Sequence, residues 1–287
     1  ILKNSKFVIQ KSKLNGDVDL SGSKVSAITS VIASILTKEQ LSLHNFPKSS
    51  TDVLLSINFI EKLGKKCTFS NNSLKINETT GLKSKIEDYE DSIRFTPLIL
   101  AAILIRNGKG KVPLPGGCEI GNRKIDVYNY IFQKFGATFY KKNRYLHGEV
   151  IKTLTPNKIS LPICSTGGTL CSLIFAASIS GKSEIKNAHM RPETFDIINI
   201  LMKMGANVEV NNNQINVEGS ILNGTNHTLI NDIMEAFTYV IFACVTKGNV
   251  RIKNFPYNHL NIPMEIAKNA GANFIYKDKD LNICDGK

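Results

Sequence analysis

One short pattern recurs four times in this chain: an amphipathic run ends in a glycine, and an alternating apolar segment follows. The copies are FIEKLGKKCTF, IFQKFGATFY, ILMKMGANVEV and IAKNAGANFIY, with their glycines 72, 69 and 66 residues apart. A glycine after an amphipathic run is typical of a helix end, where the backbone needs a positive φ. The chain is therefore predicted to consist of repeats of about 70 residues. The four glycines are Gly64, Gly136, Gly205 and Gly271.

Each repeat has the same predicted order of elements. A helix that is apolar nearly all round comes first, in AITSVIASILT, PLILAAILI, TLCSLIFAASIS and EAFTYVIFACVT. A short strand, a helix with one polar face and two further strands follow. The apolar helices are expected to be buried, which requires the repeats to group. Three repeats suffice to close around their apolar helices, and the fourth is left over; the amino-terminal segments FVIQ and GDVDLSG are predicted to be strands that pair with it.

The predicted fold class is therefore α/β, of the α+β kind, built from repeated units of helices and strands. The length of 287 residues fits two domains rather than one small core. We expect a complete three-repeat domain at residues 22–220. Residues 1–21 together with 221–287 are expected to form a partial second domain.

The composition excludes several classes of protein. The net charge of +12 favours either a polyanionic partner or a general bias in residue usage. The basic residues are spread along the chain without an arginine-rich arm or an aromatic-interleaved RNA motif, so we predict no nucleic-acid partner. No run approaches the ~18 apolar residues of a membrane span, which predicts no membrane partner. The six cysteines include no CxxC pair, which gives no support to a zinc site and favours a reducing, cytoplasmic compartment.

The turns that enter the apolar helices carry groups suited to an anionic ligand. A helix amino terminus attracts anions, and a nearby cation or hydroxyl strengthens that attraction. Equivalent ends of repeated units are expected to converge, so these turns predict one site for a doubly anionic small molecule. The groups for the anion are Lys24, Arg94 and the uncharged loop Ser165, Thr166 and Gly167, while the equivalent turn of the fourth repeat carries Asp232.

A second candidate is the glycine-rich stretch LPGGCEIGNRKID, at residues 114–126. Cys118 stands in this stretch close to Arg123, so its thiol pKa is expected to lie below the usual ~8.5. Arg123 has the fork geometry that grips a phosphate or a carboxylate. Asp126 is predicted to cap the following helix, with contact to a ligand as the alternative. The other cysteines are predicted to be inert and buried: Cys67, Cys164, Cys171, Cys244 and Cys284.

This stretch closely resembles the signature loop of the UDP-N-acetylglucosamine 1-carboxyvinyltransferases, a branch of the enolpyruvyl transferases. The segments LNGDVDLSGSK, IRFTPLILAAIL and STGGTLCSLIFAA also resemble that family, so the likeness covers nearly the whole chain. The resemblance implies an inside-out α/β barrel architecture with repeated βαβαββ units. It also implies transfer of the enolpyruvyl group of phosphoenolpyruvate to the 3-hydroxyl of UDP-N-acetylglucosamine, in peptidoglycan precursor synthesis. Phosphate is released through a tetrahedral intermediate, with no metal and no organic cofactor.

The resemblance assigns roles to the same residues. Lys24, Arg94 and Arg123 match the residues that hold phosphoenolpyruvate, and Cys118 matches the thiol that acts as a general acid and is alkylated by fosfomycin. The loop Ser165, Thr166 and Gly167 matches the segment that holds the nucleotide, and the strip from Arg123 to Asp126 matches the segment over the uracil. Asp232 is assigned to substrate binding.

The chain also departs from the family pattern. Val25 stands where the family has asparagine, Glu119 follows the cysteine, and four repeats stand where the family has six. A second chain or a missing carboxy-terminal segment is therefore expected to complete the second domain. Alternatives are a truncated, catalytically impaired relative that binds a UDP-sugar or a partner, and a transferase using another nucleotide acceptor such as UMP. A role in RNA processing, as in RNA 3′-phosphate cyclases, is a more remote alternative.

Overall fold

The computed structural model of the protein describes residues 8–116 and 125–284. The helices of these residues are α1 Lys24–Ala33, α2 Thr51–Lys62, α3 Thr96–Asn107, α4 Asp126–Phe135, α5 Thr166–Ser178, α6 Pro192–Met204, α7 Ile233–Thr246 and α8 Asn261–Asn269. The strands are β1 Gly16–Asp19, β2 Leu41–His44, β3 Lys65–Ser70, β4 Ser73–Glu78, β5 Lys109–Pro113, β6 Ala137–Lys142, β7 Tyr145–Val150, β8 Lys158–Ser160, β9 Gly181–Lys186, β10 Asn207–Asn211, β11 Gln214–Gly219, β12 Thr225–Thr228, β13 Val250–Lys253, β14 Phe274–Lys277 and β15 Asp280–Ile283.

The predicted glycine ends of the second helices are confirmed. Gly64, Gly136, Gly205 and Gly271 follow α2, α4, α6 and α8 with φ values of 103°, 97°, 122° and 97°. After each glycine the chain enters a hairpin of two antiparallel strands, of which β10 and β11 are one example, paired from Asn207↔Glu218 to Asn211↔Gln214. The positive φ turns the chain out of the helix and into the sheet.

The chain divides into two compact bodies. The larger body is Gly22–Ile230, and the smaller body consists of the residues up to Ser21 together with those from Asn231 onward. The larger body thus ends at Ile230 rather than at the predicted 220. The reason is strand β12, which pairs in parallel with β2 and so joins the first sheet of the larger body.

Three buried helices form the core of the larger body. Every residue is buried in the stretches Ser26–Ala33 of α1, Thr96–Leu104 of α3 and Gly167–Ala177 of α5. Helix α3 packs against both α1 and α5. The prediction that these apolar helices are buried is therefore confirmed for three of the four, and the hydrophobic effect of burying them is the main force that assembles the body.

Three sheets surround these helices, with strand orders β12-β2-β4-β3, β5-β7-β6 and β10-β11-β9-β8. The β5-β7-β6 sheet lies especially close to α3. A Cβ added to Gly110 of β5 would lie 2.8 Å from Leu100 Cδ1, and one added to Gly148 of β7 would lie 3.0 Å from Leu100 Cδ2. The glycine pair is thus required for this close approach of sheet to helix.

The smaller body consists of the sheet β1-β13-β15-β14 and helices α7 and α8. Strand β1 pairs in parallel with β13 from Gly16↔Val250 to Asp19↔Lys253, which confirms the strand predicted in GDVDLSG. Residues 8–10 of the FVIQ segment form no strand, and Phe7 lies outside the described residues.

Helix α7 does not follow the prediction that each first helix is buried. Only Ala236, Val240 and Ala243 of this helix are buried. Met234, Phe242 and Val245 are 67%, 54% and 77% exposed. Helix α7 packs on strands β13 and β15, and this contact buries one side of a helix that is apolar nearly all round.

Candidate active site

Lys24 is the first residue of α1, directly after the capping residue Ser23, whose Oγ accepts a hydrogen bond from Ser26 N at 3.4 Å. The Lys24 ammonium lies 3.0 Å from Asp52 Oδ2 of α2, and the two side chains are 50% and 46% exposed. An ion pair this exposed contributes only about 0–1 kcal/mol, so it is easily exchanged for a stronger anion. Val25, in the place where the family has asparagine, is half-buried and packs against the apolar core.

Arg94 lies on the surface in the turn before α3. Its positive charge acts on the hydroxyl of Tyr128, a buried residue of α4. Burial raises the pKa of Tyr128 well above its usual value, and the neighbouring Cys171 adds to the rise, while Arg94 opposes it. Arg94 is therefore close enough to the Tyr128 hydroxyl for the two groups to interact electrostatically.

Gly167, the second residue of α5, lies directly against the same hydroxyl. A Cβ at Gly167 would overlap Tyr128 Oη, so only glycine fits at this position. Tyr128 consequently lies against Gly167 at the start of α5 and within electrostatic range of Arg94, in the turn before α3. Both of these turns, which the sequence analysis selected, are therefore near the Tyr128 hydroxyl.

Hydroxyl groups at the start of α5 form hydrogen bonds that stabilise this end of the helix. Ser165 is the capping residue, and its Oγ accepts a hydrogen bond from Gly168 N at 3.3 Å. Thr166 Oγ1 lies 2.8 Å from His189 Nδ1, and His189 N donates to Thr169 Oγ1 at 2.9 Å. The predicted donor loop is therefore a capped helix start, with free amide hydrogens of the first turn available to an anion.

Sequence reasoning gave no role to any histidine and so missed His189. No local signal marks it: the residue follows β9 in the segment NAHMRP, without metal-ligand spacing to another histidine. Its contact with Thr166 forms across 23 residues of sequence and is visible only in the folded structure.

Helix α6 connects the starts of α5 and α1. Thr194 of α6 donates from Oγ1 to the carbonyl of His189 at 2.8 Å. Two residues further along α6, Asp196 Oδ2 accepts a hydrogen bond from Ile230 N at 3.4 Å, and Ile230 O accepts one from Ser23 N at 2.8 Å. The other oxygen of Asp196 lies 2.8 Å from His227 Nε2, in a pair that is almost entirely buried. A continuous path of contacts thus runs from the residue before Lys24 to Thr166.

Asp126 does not cap α4 as predicted. It is the first residue of the helix, Ile125 holds the capping position, and no side chain forms a capping hydrogen bond there. The carboxylate still interacts favourably with the amino-terminal end of the helix. It is exposed and lies two residues before Tyr128, so it remains available to a ligand.

Asp232 lies in the smaller body, where it is the capping residue of α7. Its Oδ1 accepts hydrogen bonds from Met234 N at 2.9 Å and Glu235 N at 3.0 Å. The Glu235 carboxylate in turn accepts a hydrogen bond from Ser21 N at 2.7 Å.

Cys118 and Arg123 lie outside the described residues, as does Glu119. For the remaining cysteines the prediction of burial is right for Cys171 and wrong for Cys164 and Cys284, which are exposed. Both lie in irregular chain rather than on a core-facing side of a helix or strand.

Burial controls the chemistry of the inner thiols. It raises the pKa of Cys67 to about 12, with Glu61 adding to the rise, and it raises the pKa of Cys171 further still. Both thiols are therefore protonated and unreactive at neutral pH.

Across residues 8–116 and 125–284, no three His, Cys, Asp or Glu side chains are grouped as metal ligands would be. None of the helices in those ranges has the length and apolar character needed to cross a bilayer.

Comparison with known proteins identifies the family. The sequence model of EPSP synthase (3-phosphoshikimate 1-carboxyvinyltransferase) matches residues 8–286. The UDP-N-acetylglucosamine 1-carboxyvinyltransferase of Buchnera aphidicola subsp. Baizongia pistaciae is 36% identical over 250 residues, which are 86% of this chain and 60% of the relative. The enzyme of the same name from Elusimicrobium minutum is 36% identical over 266 residues, 90% of this chain and 62% of the relative. The chain therefore spans about three fifths of the length of these relatives.

Solved structures share the fold. The enolpyruvyl transferase NikO from Streptomyces tendae superposes with a TM-score of 0.81 at 16% identity, over 95% of this chain and 66% of that one. EPSP synthase from Acinetobacter baumannii gives a TM-score of 0.71 at 17% identity, over 96% of this chain and 64% of that one. Together, the family match and the shared fold establish that this chain belongs to the EPSP synthase family, the enolpyruvyl (1-carboxyvinyl) transferases.

Proposed function

We propose that this chain forms the substrate-binding part of an enzyme that transfers the enolpyruvyl group of phosphoenolpyruvate to the 3-hydroxyl of UDP-N-acetylglucosamine. The names of the relatives, at 36% identity over most of this chain, support that donor and acceptor. The stretch LPGGCEIGNRKID supports it independently, because it combines a thiol and a guanidinium in one glycine-rich segment. The product is a peptidoglycan precursor, and the scattered thiols favour a cytoplasmic enzyme.

In the proposed reaction the sugar hydroxyl gives up its proton, its oxygen forms a bond to C2 of phosphoenolpyruvate, and C3 takes a proton as the C2–C3 double bond is lost. The resulting tetrahedral intermediate loses a proton from C3, the C2–C3 double bond re-forms, and the bond from C2 to the phosphate oxygen breaks. Cys118 is the proposed general acid. Lys24, Arg94 and Arg123 offset the phosphate and carboxylate charges, which stabilises the intermediate electrostatically.

The observation that carries the proposal is the position of the Tyr128 hydroxyl, which lies directly against Gly167 and within electrostatic range of Arg94. It supports a site in which the cation before α3 and the amide hydrogens at the start of α5 act on one ligand. We assign the nucleotide diphosphate to the loop Ser165, Thr166 and Gly167, because a capped helix start binds phosphate through its amide hydrogens and its dipole. Asp126 is assigned to the uracil side of the site.

We further propose that the larger body is the complete three-repeat domain of an inside-out α/β barrel and that the smaller body is a partial domain. Asp232 is its proposed contribution to substrate binding. The exposed apolar face of α7, formed by Met234, Ile241, Phe242 and Val245, supports this division. Such a face is normally covered, and a further segment or a second chain is its proposed cover. Turnover is expected to require that cover.

The test of the acceptor is calorimetry with UDP-N-acetylglucosamine. Binding by the chain is expected, and Gly167→Ala should abolish it, because the added methyl group displaces the Tyr128 hydroxyl. Arg251→Met serves as control, since Arg251 is paired with Asp280 on the smaller body. Absence of binding to any uridine nucleotide would reject the proposed acceptor.

The test of the thiol is mass spectrometry after treatment with fosfomycin. We expect one adduct, on Cys118, and about tenfold slower labelling in Arg94→Met, because the reagent carries a phosphonate that needs a cation. The exposed Cys164 and Cys284 are internal controls for simple accessibility. Equal labelling of all three thiols would show that Cys118 has no special reactivity.

A further inference from the structure

The outer face of the β5-β7-β6 sheet carries a row of cationic and aromatic residues. The register places Lys111 of β5 opposite His147 of β7, and His147 opposite Tyr140 of β6. An isolated bridge adds Lys85 beside Lys111. Residues directly opposite each other point to the same side of a sheet, so Lys85, Lys111, His147 and Tyr140 form one row across it, called here the outer row.

One end of the outer row is a stacking surface. The rings of Tyr140 and His147 are stacked with centroids 5.3 Å apart and planes at 12°. Tyr140 is 54% exposed, so part of its ring is available to a planar ligand. Stacking on such a surface favours any nucleobase, because every base has a π-face.

The other end of the outer row is cationic. Lys111 is fixed by its ammonium, which lies 2.8 Å from Glu87 Oε1 and 4.1 Å from the centre of the Tyr145 ring. Lys85 and Lys109 are exposed, and their side chains form no hydrogen bond or ion pair with a residue of the described ranges. Burial lowers the pKa of His147, and the charges of Lys111, Lys142 and Lys85 lower it further, which shows that positive charge converges on the row.

These two ends share one concave site. A cavity of about 290 Å³ is bounded by Lys85, Lys109, Lys111, Tyr140 and His147, with Glu149 at its side. The outer face of the β10-β11-β9-β8 sheet offers a contrast, because its cavity combines lysines with three glutamates and has no aromatic residue. The pairing of cations with a stacking surface therefore distinguishes the β5-β7-β6 sheet from the β10-β11-β9-β8 sheet.

We propose that this site binds a free mononucleotide, with the phosphate between Lys85 and Lys109 and the base stacked on Tyr140. The cavity volume suits one nucleotide rather than a track for several. Glu149 in its lining, and Glu87 paired with Lys111, would repel the phosphates of a longer chain. Lys109 follows the carboxyl end of the 12-residue α3 and Arg94 precedes its start, so the site lies about 18 Å along the helix from the proposed active site.

Adenosine 5′-monophosphate is the probe, with binding followed by ligand-observed NMR on the whole chain. The double variant Lys85→Gln/Lys109→Gln and the single variant Tyr140→Ser are each expected to weaken binding about tenfold or more. Lys66→Gln/Lys75→Gln, on the surface of β3 and β4, carries the same change of charge and should bind normally. Ribose 5-phosphate and adenosine, which each engage one end, should bind at least about tenfold more weakly than the whole nucleotide.

Arg94→Met separates this site from the proposed active site and should leave binding unchanged. Binding lost in Arg94→Met but kept in Lys85→Gln/Lys109→Gln would place the nucleotide in the active site and overturn the proposal. Equal binding by the chain and by the Tyr140→Ser variant would also overturn it, as would tighter binding of a ten-nucleotide RNA than of the mononucleotide.

Discussion

Nδ1 of His189 lies 2.8 Å from the hydroxyl of Thr166, so a titratable ring is fixed against the helix start proposed to hold the nucleotide. Two further hydrogen bonds hold the backbone of His189: its N donates to Thr169 Oγ1, and its carbonyl accepts from Thr194 Oγ1. His189 is therefore a positioning residue for Thr166 in the proposed site.

Replacing His189 by leucine is expected to weaken binding of a uridine nucleotide two- to tenfold, because one hydrogen bond is worth about 0.5–1.5 kcal/mol. His189→Asn should bind normally, since an asparagine places a polar atom close to the position of Nδ1. Calorimetry checks both variants. The matched control is His44→Leu, which breaks a similar bond of 2.9 Å from His44 Nδ1 to Ser73 Oγ on the first sheet; equal losses in both leucine variants would exclude a positioning role.

Gly167→Ala is expected to destabilise the larger body by about 1–3 kcal/mol, because the methyl group overlaps the buried Tyr128 hydroxyl. The free energy of unfolding in urea measures the effect. Introducing Tyr128→Phe in the same chain removes the overlapping oxygen and should recover part of the loss. Gly81→Ala is the control, because nothing lies within 4 Å of a Cβ at that position; a cost equal to that of Gly167→Ala would contradict the steric explanation.

Glu78→Gln is expected to destabilise the chain by about 3 kcal/mol at neutral pH. The Glu78 carboxylate lies 3.0 Å from both Lys65 Nζ and Arg106, and the Lys65 and Glu78 side chains are 1% and 8% exposed. Removing the anion leaves the Lys65 ammonium buried without its counter-charge. Glu87→Gln breaks an exposed pair with Lys111 and should have little effect.

The Glu78 carboxylate also makes the free energy of unfolding depend on pH. Burial would raise the pKa of Glu78, but hydrogen bonds from Arg106 and Lys65 outweigh it and hold the pKa below its usual value. A depressed pKa adds stability that is complete above the unfolded value of about 4.3 and is lost as the pH falls through the folded value. The stability difference between the chain and Glu78→Gln should therefore shrink below about pH 4. A difference that stays constant down to pH 3 would exclude this ionisation.

The apolar face of α7 is expected to bind the dye ANS. The double variant Phe242→Gln/Val245→Gln should reduce ANS fluorescence and self-association, while urea unfolding of the larger body stays unchanged. Ile221→Gln is the control, because Ile221 is 86% exposed but stands outside any such face. Sedimentation velocity measures the association, and unchanged fluorescence in the double variant would show that the face is already covered.

The parts of the fold that local sequence determines were predicted well. The helix ends at Gly64, Gly136, Gly205 and Gly271 follow from backbone conformations that glycine alone adopts without strain. The burial of α1, α3 and α5 follows from helices without a polar face. The prediction that α7 is buried was wrong, because an apolar helix sequence does not show whether another surface is present to cover it.

Features that depend on distant residues were missed. The larger body extends past 220 because Thr225 pairs with Leu41, and no local pattern reports that pairing. Asp126 was predicted to cap α4 but is the first residue of the helix, one position later than predicted. Helix limits are difficult to predict to within one residue. The outer row combines Lys85 and His147, which both pair with Lys111 but come from separate segments. Neither segment contains a motif that predicts this arrangement.

The two ends of the larger body lie close together, because Ser23 N donates a hydrogen bond to Ile230 O at 2.8 Å. Strand β1 of the smaller body pairs with β13, so its sheet forms only after β13 has been synthesised. On the ribosome, every residue of the larger body is therefore synthesised before β1 meets β13, and domains fold as units when their residues are complete. In sequence, the larger body is inserted between the two segments of the smaller body, which is expected to fold later. A gene segment encoding 22–230 should for the same reason yield a self-contained product.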